Sequence, residues 1–170
     1  LTAGTRLGPA QCAILAATGV TEVSVYPKLR VGVLSTGDEL TSPGQTPDPA
    51  KTYDANRPML LALLADWNMT PVDLGHVADD SDDLRHRLDQ AAKETDAILT
   101  SGGASAGDED HVSALLGQQG ARADWRIALK PGRPLALGMW GGKPIFGLPG
   151  NPVAALVCTM VFARPALGVL

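Results

Sequence analysis

From Arg30 onward the chain alternates two kinds of apolar pattern, and that alternation restricts it to an α/β fold. Arg30-Val31-Gly32-Val33-Leu34-Ser35 is a continuous apolar run of strand length. After Pro58, the residues Met59, Leu60, Leu63, Leu64 and Trp67 recur at the spacing of one helix face, and Pro71-Val72-Asp73-Leu74 follows as a second strand. Ser81 stands where it can cap a helix carrying Leu84, Leu88 and Ala91 on one side, after which Asp96-Ala97-Ile98-Leu99 reads as another buried strand. Val112, Leu115 and Leu116 mark a further short helix. Trp125, Ile127 and Leu129 then alternate as in a half-covered strand, as do Leu135, Leu137 and Met139. Gly141-Gly142 before Pro144-Ile145-Phe146 is the sequence of a tight hairpin. Asn151-Pro152 offers an N-cap and a proline at the first position of a last helix, with Val153, Leu156, Val157 and Met160 on one side.

Strands alternating with helices predict a three-layer α/β/α sandwich around a mostly parallel, mixed sheet, the hairpin adding its antiparallel part. The 170 residues suffice for one such core. Upstream of it, Leu7 to Thr18 reads as a short helix between Pro9 and Gly19, and Tyr26-Pro27-Lys28 as a linker. Residues 1–26 are therefore read as the tail of a preceding region and residues 27–170 as the domain, the whole being a piece of a longer polypeptide.

Composition narrows the function. The net charge is −4 and the sequence pI about 5.2, so there is no broad cationic surface for nucleic acid. The longest apolar stretch, Ala154 to Ala163, is too short to span a bilayer, and nothing resembles a signal segment, so the cytoplasm is the expected compartment. Cys12 and Cys158 have no metal-binding spacing and are expected to be small buried residues.

In such sheets ligands bind beyond the carboxyl ends of the strands. Four polar loops rich in glycine or acid meet that description: Ser35 to Glu39, His76 to Asp80, Thr100 to Asp110, and Gly147 to Asn151. In the third, Gly102, Gly103 and Gly107 permit positive φ, so that successive N–H groups can turn toward one anion beside the hydroxyls of Ser101 and Ser105. It is no Walker loop, since Asp108 follows Gly107 where lysine would be required. The helix start at Asn151-Pro152 is either a second anion site or a simple cap. Asp38, Glu39, Asp79, Asp80, Asp108, Glu109 and Asp110 gather in the same loops, and oxygen-only donors of this kind favour Mg²⁺, although Asp80 and Asp108 also suit helix caps. Lys130 and Arg133 put two cations on a proline-stiffened turn. His76, His86 and His111 show no ligand spacing, and no nucleophile elbow occurs.

Leu34-Ser35-Thr36-Gly37-Asp38-Glu39-Leu40, Tyr53-Asp54-Ala55-Asn56-Arg57, Thr100 to Gly107, Lys130-Pro131-Gly132-Arg133-Pro134 and Gly147-Leu148-Pro149-Gly150-Asn151-Pro152-Val153 together resemble the molybdopterin molybdenumtransferase family, which includes bacterial MoeA and the E domain of gephyrin. The resemblance implies the molybdopterin-binding domain fold, adenylated molybdopterin and molybdate as substrates, and Mg²⁺-dependent release of AMP. It implies Glu39, Asp79, Asp110 and Lys130 as catalytic residues, the first three also as metal ligands. It implies a pterin or phosphate site formed by Thr36, Gly37, Asp38, Asp54, Asn56, Ser101, Gly102, Gly103, Ser105, Gly107, Arg133, Pro149, Gly150 and Asn151. A homodimer of the longer protein and a molybdopterin adenylyltransferase as partner belong to the same expectation. Arg133 replaces the usual lysine, and Ala104 and Ala106 the usual valines. Two rival readings are an adenylyltransferase of the same fold, whose loop typically reads Gly-Gly-Thr-Gly, and a non-catalytic pterin-binding or scaffold module.

Overall fold

The computed structural model describes residues 1–46, 48–102, 111–118, 122–126 and 134–170; for 122–126 and 134 the description is of the strand path alone. Helix α1 is Pro9–Ala17, followed by strands β1 (Arg30–Thr36), β2 (Leu40–Thr41) and β3 (Thr52–Tyr53). Helix α2 (Asn56–Asp66), strand β4 (Thr70–Val77), helix α3 (Ser81–Glu94) and strand β5 (Ala97–Ser101) come next. Helix α4 (His111–Gln118), strands β6 (Arg122–Arg126), β7 (Pro134–Trp140) and β8 (Lys143–Leu148), helix α5 (Pro152–Cys158), a π-helical turn (Thr159–Ala163) and α6 (Arg164–Leu167) complete the order.

Six strands form one sheet in the order β4-β1-β5-β8-β7-β6. β4, β1, β5 and β8 are parallel, and β7 runs against both of its neighbours, so the sheet is mixed and mostly parallel as expected. The pleat sends alternate side chains to opposite faces. Val31, Val33, Ala97 and Leu99 pack with α2 and α5 through Leu60, Leu64, Ala155 and Cys158. Leu34 and Ile98 point the other way, into the layer built by Leu84, Leu88 and Ala91 of α3 and by Val112, Leu115 and Leu116 of α4. Three layers result because the central strands are apolar on both faces.

Local signals in the sequence account for the joints. The β7–β8 hairpin pairs Trp140 with Lys143 across Gly141-Gly142, whose φ values of +53° and +78° are those a two-residue reverse turn requires. Asn151 Oδ1 accepts from the N–H groups of Val153 and Ala154, 3.0 and 3.1 Å away, with Pro152 as the first helical residue. At α3 the cap is Asp80 rather than Ser81: its Oδ1 takes the N–H groups of Asp82 and Asp83, both at 2.9 Å. Ser81 lies one residue inside the helix, and its hydroxyl bonds His111 Nδ1 at 3.0 Å instead.

Two expectations about packing are corrected. Helix α5 buries Ala154, Ala155 and Cys158, whereas Val153 on it and Met160 in the following π-helical turn are 58% and 46% exposed. Small residues let the helix approach the sheet, so Val153 and Met160 face outward while Leu156 and Val157 are half-buried. Cys158 is buried, and burial pushes its thiol pKa up, but Cys12 is exposed on α1, a helix with no buried residue. No helix among the described residues is long and apolar enough to cross a membrane.

Candidate functional site

The carboxyl ends of β1, β5 and β8 lie side by side at one edge of the sheet, and α2 begins over them. Ser35 pairs in register with Ser101, and Ser101 with Leu148. Ser35 has the strand parity of Val31 and Val33, and Ser101 that of Ala97 and Leu99, so both fall on the face that α2 covers. Asn56, the first residue of α2, donates from Nδ2 to Ser101 Oγ at 2.6 Å and to the Gly150 carbonyl at 2.7 Å. One amide thus joins three chain segments that are distant in sequence.

Glycine is required where these segments meet. Gly102 adopts φ +89°, and a Cβ there would overlap the Thr36 carbonyl oxygen, so the turns after β1 and β5 are in backbone contact. A Cβ on Gly150 would come to 3.9 Å of the Gly102 Cα, which sets the third loop beside the other two. Gly37, at φ +134°, has the Glu39 carboxylate folded over it.

Asn56 is itself held. Arg57 N–H and Nε donate to the two oxygens of Asp54 at 3.1 and 3.0 Å, and Arg57 Nη1 reaches both oxygens of Asp73 on β4 at 2.9 Å. Burial works against the Arg57 charge, yet the bonds to Asp73 and Asp54 outweigh it and its pKa rises. For Asp73 burial likewise pulls upward, while the bonds from Arg57 and the Gly75 N–H prevail and lower its pKa. The Asp54 side chain is 2% exposed and both its oxygens serve Arg57, so it fixes the start of α2.

A bulge in the β1–β4 pairing, between Val33 and Ser35, includes Gly75 at φ +79° and swings His76 toward the edge. His76 Nε2 donates to the Gly37 carbonyl at 2.7 Å, a role set by the carbonyl having no hydrogen to give. Past β4, Asp38 and Asp79 bracket each other: Asp38 N–H donates to Asp79 Oδ2 and Asp79 N–H to Asp38 Oδ1, each at 3.1 Å. These bonds bring the acidic turns after β1 and β4 together, with Glu39 exposed beside them.

Of the residues expected from the sequence, Thr36, Gly37, Asp38, Glu39, Asp54, Asn56, Asp79, Ser101, Gly102, Pro149, Gly150 and Asn151 occupy this edge or its supports. Gly103, Ser105, Gly107, Asp110, Lys130 and Arg133 lie outside the described residues, as do Asp108 and Glu109. The N–H groups of Val153 and Ala154 that an anion would need at the α5 start are taken by Asn151, which favours the simple cap there. Among the described residues no three His, Cys, Asp or Glu side chains group to hold a metal, the expected third carboxylate being Asp110. The sequence pattern assigns no binding or catalytic role to the supports Ser35, Arg57, Asp73 and His76. Arg57 closes the Tyr53-Asp54-Ala55-Asn56-Arg57 motif, but its carboxylate partner Asp73 is readable only from the fold.

Three buried polar atoms at the edge have no hydrogen-bond partner among the described residues: Ser35 Oγ, Thr36 Oγ1 and Asn56 Oδ1. Such groups are costly to leave unmet in a core and are explained by a ligand, water or functional strain.

The family model described as "Probable molybdopterin binding domain" matches residues 32–168. The chain is 38% identical over 167 residues to the molybdopterin molybdenumtransferase of Haemophilus influenzae, covering 98% of this chain and 41% of that protein. It is 40% identical over 174 residues to molybdopterin molybdenumtransferase 2 of Mycobacterium tuberculosis, covering 96% and 42%. Among solved structures, the molybdopterin biosynthesis MoeA protein of Pyrococcus horikosii superposes with a TM-score of 0.82 at 33% identity, over 98% of this chain and 41% of that one. The chain thus spans about two-fifths of the length of the relatives it matches. On the fold, the edge and these likenesses, the chain belongs to the molybdopterin-binding-domain family of molybdenum cofactor biosynthesis, in the form that molybdopterin molybdenumtransferases carry.

Proposed function

We propose that this chain, as residues 27–170 with the tail 1–26 of a preceding region, is the domain that binds adenylated molybdopterin while molybdate is inserted and AMP released. The observation that carries the proposal is the set of unmet buried polar atoms, Ser35 Oγ, Thr36 Oγ1 and Asn56 Oδ1, at the junction of three strand ends. A ligand bearing both hydrogen-bond donors and phosphate oxygens suits such a junction, because the hydroxyls can serve in either sense and Asn56 Oδ1 only accepts.

In this reading Thr36, Gly37, Ser101 and Gly102 form the floor beneath the ligand and Pro149, Gly150 and Asn151 one wall, with Gly103, Ser105 and Gly107 as further binding residues. Lys130 and Arg133 supply cations to the pyrophosphate. Asp79, braced by Asp38, has one oxygen without a partner among the described residues, and with Glu39 and Asp110 it would supply hard oxygen donors of the kind Mg²⁺ prefers. Bound there, Mg²⁺ would offset negative charge on the pyrophosphate. Lys130 would stabilise charge on the departing AMP. The longer protein acts as a homodimer in the cytoplasm and receives its substrate from a molybdopterin adenylyltransferase.

Calorimetric titration with molybdopterin and with adenylated molybdopterin, each with and without Mg²⁺, tests this. Tighter, Mg²⁺-dependent binding of the adenylated form is expected. Equal affinity for both forms whatever the Mg²⁺ would refute the transferase reading, and binding of neither by the folded chain would refute the pterin site.

A further inference from the structure

We propose that Asn56 is the positioning residue of this edge: it holds the Gly150 loop against the end of β5 and leaves the Ser101 hydroxyl as a hydrogen-bond donor toward the ligand. The proposal rests on the pterin-site reading above only for what the ligand is.

The orientation of the Asn56 amide follows from chemistry. A backbone carbonyl can only accept, so the group 2.7 Å from the Gly150 oxygen must be the amide nitrogen. The second bond of that nitrogen, at 2.6 Å, runs to Ser101 Oγ, and both amide hydrogens are then committed to the protein. Ser101 Oγ is the acceptor in this pair, so its own hydrogen remains to be donated. Ser101 is 2% exposed and makes no other hydrogen bond among the described residues. A buried hydroxyl in this position presents a donor to a phosphate, carbonyl or thiolate of the ligand, where a free serine rotor would present either sense.

The amide is kept in place from behind. Asp54 and Arg57 fasten the first turn of α2, and Arg57 reaches across to Asp73 on the edge strand. Asn56 is 7% exposed, and the two groups it joins stand 45 and 94 positions away in sequence. Asn56 therefore sets the gap between the Ser101-Gly102 turn and the Pro149-Gly150-Asn151 loop, two walls that, among the described residues, no backbone pairing beyond Leu148 holds together.

The test compares Asn56→Ala, Asn56→Asp and Ser101→Ala, reading affinity for adenylated molybdopterin by calorimetry, thermal midpoint, and amide exchange in the ligand-free chain. Asn56→Ala is expected to speed exchange at Gly150 and Asn151, leave β1 and α3 unchanged, and weaken binding about tenfold, the scale of one hydrogen bond. Asn56→Asp has nearly the native shape, but its carboxylate accepts the Ser101 hydrogen and faces the Gly150 oxygen. It is expected to bind about a hundredfold more weakly than wild type, worse than the alanine variant, although a role in packing alone predicts the opposite order. Ser101→Ala keeps the Gly150 bond and so is expected to lose affinity with loop exchange as in wild type.

Exchange at Gly150 unaltered in both Asn56 variants would overturn the brace. Binding by Asn56→Asp equal to or tighter than by Asn56→Ala would overturn the assignment of donor and acceptor. If the wild-type chain binds neither pterin form, the functional reading falls and the exchange experiment alone decides the brace; should Asn56→Asp not fold, Asn56→Ala and Ser101→Ala decide both parts.

Discussion

Gly102→Ala isolates the contact on which the edge depends. Two costs are predicted for it, and a second glycine separates them. Gly102 sits at φ +89° and Gly142 at φ +78°, so an alanine at either pays for a backbone conformation disfavoured by about 1–2 kcal/mol. At Gly142 nothing lies within 4 Å of the added methyl, whereas at Gly102 the methyl would overlap the Thr36 carbonyl oxygen, and neither backbone can yield as a flexible side chain would. Relieving that overlap should add about 1–3 kcal/mol, the usual cost of overpacking. For a domain of this size each kcal/mol moves the midpoint by about 2–4 °C, so Gly102→Ala should melt roughly 2–12 °C below Gly142→Ala. Urea unfolding of the two variants, with m-values checked for equality, measures the difference directly. Equal destabilisation would refute the close approach of the β1 and β5 turns, since φ alone would then explain both variants.

Other consequences are open to measurement. Arg57→Ala strands the buried Asp54 carboxylate and should cost about 3–5 kcal/mol, with Asp54→Ala in the same chain restoring part of it; full additivity in that double-mutant cycle would contradict the pairing. Asp79→Asn keeps the acceptor for the Asp38 N–H but loses the charge, so stability should change by less than about 0.5 kcal/mol while Mg²⁺-dependent binding disappears; retained Mg²⁺ dependence would remove Asp79 from the metal set. The Asp80 carboxyl is held below the usual carboxylate range by the N–H groups of Asp83 and Asp82. Its contribution is therefore complete above the ordinary aspartate value and lost as pH falls through the depressed one. The first turn of α3 should lose exchange protection on acidification, and Asp80→Asn should not show that step.

Much of the fold could be read from the chain because its signals were local. Apolar runs, the helical spacing of Leu60 and Leu64 or Leu84 and Leu88, the Gly141-Gly142 turn and the Asn151-Pro152 cap each act within a few residues. The two-residue strands β2 and β3 went unseen because a pair of residues has no periodicity to detect. On α5 the spacing of Val153, Leu156, Val157 and Met160 does not mark the buried face, because alanines and a cysteine pack against the sheet. At the site, proximity of the loops followed from topology, but the Asn56 bonds to Ser101 and Gly150 and the Arg57 reach to Asp73 are long-range side-chain geometry. No spacing rule encodes them.

The hairpin at the far end of the sheet bears on how the chain acquires its structure. β6 pairs with β7 and β7 with β8 close in sequence, whereas β1 must find β4 and β5, and β5 must find β8, across intervening elements. Local closures of this kind take about 1–10 μs, and the non-local ones are slower because more chain entropy is lost before any contact forms. The meander is thus expected to offer β8 as a ready edge on which β5 and then β1 assemble. A residue inserted between Gly141 and Gly142 would shift the start of β8 by one position, turn its inward side chains outward, and carry Leu148 to Asn151 out of line with Ser101. The hairpin acts as a ruler for a site about six strand residues, or roughly 20 Å, away.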